Sequence, residues 1–257
     1  MPWRLCSVRF GARGGRTPKG LMNGIHGLVF DKDGTLFDFR ATWGGWSRRM
    51  LEELSGGSDG LVRTLGEAIG YDLETGSFAP DSPIIAHTAP EIAAHLLPHL
   101  PGADGAVLVA RMNALAGETD LVPAAPLVPL FEALTERGLR LGLATNDSAA
   151  PAAAHLRMAG IAQFFHFIAG FDSGHGAKPD PGPLLAFAEA TGLDPARVAM
   201  VGDSRHDLVA GRAAGMRTVA VLTGIAEADE LAPFADVVLP DIGHLPGWID
   251  TQEMAET

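Results

Sequence analysis
The chain alternates between short apolar runs and longer segments with helical spacing. Ile25 to Asp31 (IHGLVFD) is apolar until it meets charged and glycine residues, the pattern of a buried parallel strand. Leu139 to Thr145 (LRLGLAT), Arg197 to Gly202 (RVAMVG) and Thr218 to Leu222 (TVAVL) repeat that pattern. Weaker runs at Phe164 to Ile168 and Asp236 to Leu239 complete a sheet. Helical patterns lie between the runs, at Leu127 to Arg137, Ala149 to Ala159, Pro183 to Thr191 and Asp207 to Ala214. Strands alternating with helices of about 10–15 residues predict βαβ units, and so an α/β fold with a mostly parallel sheet.

Residues 40–123 break this rhythm. Trp46 to Leu54, Leu61 to Ile69, Pro90 to Leu97 and Ala103 to Leu115 all have helical spacing, joined by connectors rich in Gly and Pro. The expected organisation is an α/β core formed by 22–39 and 124–257, with an all-helical insert at 40–123. Residues 1–21 stand apart. They carry Arg4, Arg9, Arg13, Arg16 and Lys19 but no acid, and they lack the apolar segment of a secretory signal. They are expected to be a disordered extension, or the product of a start codon upstream of the true one, with Met22 close before the first strand.

Composition narrows the partners. A net charge of −12 argues against nucleic acid or an anionic membrane as the main partner. The single cysteine, Cys6, allows no intramolecular disulfide and fits a reducing compartment. No apolar run approaches the roughly 20 residues that cross a bilayer. A cytoplasmic monomer or homodimer acting on a small molecule is the expectation.

The candidate chemistry sits just past the strand ends, where ligands bind in an open α/β sheet. Asp31-Lys32-Asp33-Gly34-Thr35 places two carboxylates two positions apart at a turn. One carboxylate can attack phosphorus while the other protonates the leaving alkoxide, although DxDG also occurs as a plain surface turn. Thr145 and Asn146 offer donors for phosphate oxygens, or a cap for the next helix. Lys178, in KPDP, supplies a cation on a loop stiffened by two prolines. Asp203 and Asp207 add oxygen ligands of the kind Mg²⁺ prefers. The nine histidines form no HExxH motif, which speaks against a zinc site.

In this order, VFDKDGTL, LATN, KPDP and VGDSRHDLVAGRAAG resemble the four motifs of the haloacid dehalogenase superfamily, over about Ile25 to Leu239. The position of the helical insert is similar to the small cap of the phosphoglycolate phosphatase-like branch. The resemblance implies a Rossmann-like core with an inserted helical cap, and Mg²⁺-dependent hydrolysis of a small phosphorylated metabolite. It implies Asp31 as nucleophile and metal ligand, Asp33 as general acid and base with its backbone carbonyl towards the metal, and Asp203 as a metal ligand. Asp207 would assist the metal through water, and Thr145 and Lys178 would hold the phosphoryl group, with Asn146 beside Thr145 as a further substrate-binding candidate. Arg40 and Trp43, directly after the first motif, are candidate substrate contacts, with Thr42, Trp46 and Arg48 as further ones. Lys32 departs from many members of this branch, a change expected to leave the chemistry intact. A phosphomutase shares all four motifs and is the rival enzyme. A metal-free dehalogenase fits poorly, and a non-catalytic phosphate-binding module is disfavoured because no motif residue is lost.

Overall fold
The computed structural model describes residues 24–85 and 87–254, so the expectation for residues 1–21 lies outside the described residues. Six strands form one parallel sheet in the order β3-β2-β1-β4-β5-β6. They are β1 (Gly27–Phe30), β2 (Arg140–Ala144), β3 (Phe167–Ala169), β4 (Val198–Gly202), β5 (Arg217–Val221) and β6 (Val237–Leu239). The chain steps outward from β1 to β3 on one side, then returns to build β4 to β6 on the other. The strand order thus reverses beside β1, and a crevice opens beyond the strand ends at such a switch point. Phe30 pairs with Leu143 on one side and Val201 on the other, so the residues after these three strands emerge side by side.

Burial on both faces explains the continuous apolar runs. Leu28 and Phe30 pack in one cluster with residues of α5 (Leu127–Glu136), α6 (Ala149–Met158) and the helix Leu245–Met254. Val29, pointing the other way, packs with Leu184 and Phe187 of α7 (Gly182–Thr191) and Ala210 of α8 (Arg205–Ala213). One expected strand moves: Ala162–Phe164 forms a 3₁₀ turn and β3 begins at Phe167. Phe164 and Phe165 turn onto Phe131 instead, at ring separations of 6.0 and 5.1 Å.

Four helices follow β1 without a strand among them: α1 (Phe39–Ser55), α2 (Asp59–Ala68), α3 (Ala89–Leu96) and α4 (Gly105–Gly117). Helix α1 starts seven residues before the Trp46 boundary suggested by its periodicity, because the Asp38 carboxylate accepts from Ala41 N at 2.9 Å and caps it. Phe39, Trp43, Trp46 and Met50 make its buried stripe within a cluster that is joined from outside the insert by Ile225. The two connections to the core run side by side, with Asp38 N donating to Val122 O and Ala124 N donating to Leu36 O. No helix among the described residues is long and apolar enough to cross a membrane.

Candidate active site
Asp31 leaves β1 with its N–H donating to Val201 O at 2.9 Å, which holds it against β4. The chain then turns back, Leu36 N donating to Lys32 O and Gly34 N to Phe37 O. Gly34 has φ +78, and a Cβ there would lie 2.2 Å from an Asp203 carboxylate oxygen. A side chain would therefore both strain this turn and displace Asp203. After β4, a capping box starts α8, with Ser204 N and Oγ donating to Asp207 Oδ2 at 3.0 and 2.7 Å. That cap turns Asp207 inward.

Lys178 arrives on the loop before α7, followed by a cis peptide to Pro179. Asn146 holds this loop with both ends of its amide: Nδ2 donates to Lys178 O at 2.8 Å, and Lys178 N donates to Oδ1 at 2.9 Å. The Lys178 ammonium donates to Asp31 Oδ1 at 2.5 Å and to Asp207 Oδ1 at 2.6 Å. Asp31, Asp203 and Asp207 each offer an oxygen within 4.8 Å of the others. Asp203 also accepts from Thr35 Oγ1 at 3.2 Å.

This clustering has an electrostatic cost. Burial raises the Asp31 pKa to about 7, with Lys178 opposing and Asp207 and Asp33 adding to the rise. Burial, with Asp207 and Asp31, likewise holds Asp203 well above the usual carboxylate range. Burial disfavours the charge on Lys178, yet Asp207 and Asp31 keep its pKa above the ordinary lysine value. Three carboxylates against one ammonium leave two negative charges uncompensated. All-oxygen, buried and short of positive charge, this donor set fits a hard divalent cation such as Mg²⁺.

A second ion pair lies alongside. Lys32 is fully buried, and its ammonium sits 2.6 Å from each Asp33 carboxylate oxygen and 3.0 Å from Asp147 Oδ2. The ring of Trp43 covers that ammonium at 5.0 Å. Burial raises the Asp33 pKa, and Lys32 pulls against the rise. A cavity of about 60 Å³ opens over both pairs.

A family model for haloacid dehalogenase-like hydrolases matches residues 25–215. The chain belongs to that family. It is 30% identical over 233 residues to the phosphoglycolate phosphatase of Rhodospirillum rubrum, covering 86% of this chain and 90% of the relative. To that of Neisseria meningitidis serogroup A it is 41% identical over 115 residues, which are 44% of this chain and about half, 48%, of that relative. A predicted phosphoglycolate phosphatase from Haemophilus somnus superposes with TM-score 0.68 at 19% identity, covering 88% of this chain and 98% of its own. A β-phosphoglucomutase from Clostridium difficile gives 0.65 at 17% identity, covering 90% and 98%. At those identities the superpositions show the shared fold.

All four motifs of this haloacid dehalogenase-like chain meet at one sheet edge. Asp31, Asp33, Thr145, Asn146, Lys178 and Asp207 line the cavity. Asp203 stands in the carboxylate group, 2% exposed. Of the insert residues, Trp43 and Trp46 line the cavity and pack edge to face at 5.1 Å. Arg40 is exposed and does not line it; Arg48 donates to Leu73 O, and Thr42 Oγ1 accepts from Val122 N at 3.2 Å. The side chain of Asn146 is engaged by Lys178, and the amide at the start of α6 is met by Asp172 rather than by Asn146, Asp147 or Ser148, with Ala149 N donating to Asp172 Oδ1 at 2.8 Å. His206 is half-buried and lines the cavity beside His87. Sequence reasoning missed the place of Lys32 and of Asp147. The cue was a cation between two acids, which pairs with whichever acid the turn brings back to it.

Proposed function
We propose that this protein hydrolyses a small phosphate monoester through an aspartyl-phosphate on Asp31. An Asp31 oxygen attacks phosphorus and the bond from phosphorus to the alcohol oxygen breaks. Asp33 passes its proton to that leaving oxygen. Asp33 then takes a proton from a water that attacks phosphorus, the bond to Asp31 breaks, and inorganic phosphate leaves. Lys178 draws the phosphoryl oxygens towards Asp31, with Thr145 as a further donor. Asn146 is a positioning residue that fixes the Lys178 loop. Lys32 is another, since it grips both oxygens of Asp33 and offsets its charge whenever that group is ionised.

Asp31, Asp203 and Asp207 would hold Mg²⁺, which supplies charge neutralisation at the transferring phosphoryl group. Helices α1 to α4 act as a cap that excludes water from the first step. The observation that carries this reading is the buried Asp31 carboxylate, held by Lys178 among two further carboxylates, with Asp33 two residues on. Phosphoglycolate is the substrate in the relatives' names and therefore the first ester to try. The test is phosphate release by the purified protein with Mg²⁺ across phosphoglycolate, alkyl and sugar phosphates and acetyl phosphate. No release from any of them, by a folded protein, would overturn it.

A further inference from the structure
We infer that the alcohol released is neutral and apolar, so that the preferred substrate is the phosphate of a compact uncharged alcohol rather than of a hydroxy acid. The inference rests on the phosphatase reading above and concerns the part of the substrate beyond the phosphate. Opposite the ionic floor, the cavity is walled by Trp43 and Trp46 of α1, Ile84 and Ile85 of the α2–α3 connection, Ile92 of α3 and Met112 of α4. Four separate stretches of the insert converge there, and each contributes an apolar side chain. A carboxylate brought against such a surface loses its water and gains no charge partner, which is strongly unfavourable.

Both ammonium groups of the floor are already committed. Lys178 is held by Asp31 and Asp207, and Lys32 by Asp33 and Asp147. No arginine lines the cavity among the described residues. The indole N–H groups of Trp43 and Trp46 are buried without a partner in the protein. They suit a single neutral oxygen on the substrate and bring no charge. The remaining polar groups on that side are Asn113, which donates to Ser148 Oγ at 3.1 Å, and the imidazoles of His87 and His206.

Isobutyl phosphate and phosphoglycolate have nearly the same shape, because the branched CH(CH₃)₂ group replaces the carboxylate, and they separate charge from size. At pH 7 with Mg²⁺, kcat/KM should be about 10–100-fold higher for isobutyl phosphate. Acetyl phosphate, turned over in parallel, keeps the two ideas distinct. If neither the esters nor acetyl phosphate release phosphate, the phosphatase reading fails. If acetyl phosphate is hydrolysed and phosphoglycolate equals or exceeds isobutyl phosphate, the neutral-alcohol inference fails alone. A loss of that phosphoglycolate preference in His87→Ala would then identify imidazole as the missing cation. Ile92→Arg and Met112→Lys give the converse test. Either cation, in a protein whose circular dichroism is unchanged, should move the ratio towards phosphoglycolate by about tenfold or more. An unmoved ratio in both variants would count against the wall as the selecting surface.

Discussion

The floor and the wall of the cavity are built on opposite principles. On the floor, the charged groups are buried and held: Asp31 and Asp207 by Lys178, Asp33 and Asp147 by Lys32, Asp203 by Thr35. Asp31, Asp33, Asp147, Asp203 and Asp207 come just after strand ends and Lys178 sits on a loop held by Asn146, and the Asp31, Asp203 and Asp207 group remains short of positive charge. On the wall, the side chains are apolar, come from helices and a connection, and leave two indole N–H groups without partners. On the proposed function, the difference assigns phosphoryl chemistry to the sheet edge and discrimination to the insert. Residues proposed to perform the reaction are held by charge, and residues proposed to sort leaving groups are held by packing.

The largest expected effect breaks the floor alone. Asp31→Asn should lower kcat by about four orders of magnitude or more on every ester, because the amide cannot attack phosphorus. Its melting temperature should hold or rise, since burial already disfavours the Asp31 charge. Turnover near the wild-type rate would refute the nucleophile assignment.

Lys32→Met sharpens the comparison within the floor. It should cost about 10²-fold in kcat on an alkyl phosphate, whose leaving alkoxide needs a proton from Asp33. The loss on an aryl phosphate, whose leaving group needs little help, should be several-fold smaller, and Lys32→Arg should recover part of it. Equal losses on both esters would mean that Lys32 supports the fold and does not position Asp33.

On the wall, Trp46→Ala should reduce kcat/KM for the best alkyl ester by about tenfold, the loss following the apolar surface removed. Acetyl phosphate has little leaving group to recognise and should lose less. A uniform loss would place Trp46 with the catalytic groups and erase the distinction between wall and floor.

The smallest expected effect is a shift of stability with pH. The folded pKa values of Asp31, Asp33 and Asp203 lie above their ordinary values. Their contribution is therefore full below the ordinary carboxylate range and is lost as pH rises through the folded values, near 7 for Asp31. In excess chelator, the melting temperature should fall by a few degrees between pH 5.5 and 8 as this repulsion develops. Added Mg²⁺ should restore more at pH 8 than at pH 5.5. A chelated protein that melts higher at pH 8 would contradict this assignment of the strain.

Much of the floor was legible in the sequence because buried parallel strands leave plain traces. Apolar runs ending in polar residues marked β1, β2, β4 and β5, and the switch point placed their ends together. What escaped depends on where side chains return after a turn. Strand alternation places Lys32 on the face opposite Asp31 and Asp33, whereas the turn closed by Gly34 brings its ammonium back onto Asp33. Asn146 shows no sign in sequence of its partner, the Lys178 backbone 32 residues away. Arg40 lies away from the cavity for a simpler reason. With the cap at Asp38, α1 begins at Phe39, and its buried stripe runs through Phe39, Trp43, Trp46 and Met50, leaving Arg40 on the outer side.

The direct measurement is to trap the phosphoenzyme. Wild-type protein turning over a phosphorus-labelled ester with Mg²⁺ is quenched in acid, digested and mapped, and a parallel sample is reduced with borohydride. Label on the peptide carrying Asp31, lost on reduction with conversion of that one aspartate to homoserine, is the expected result. Label on any other residue, or steady release of phosphate with no labelled peptide in the Asp31→Asn protein and the wild type alike, would contradict covalent catalysis by Asp31.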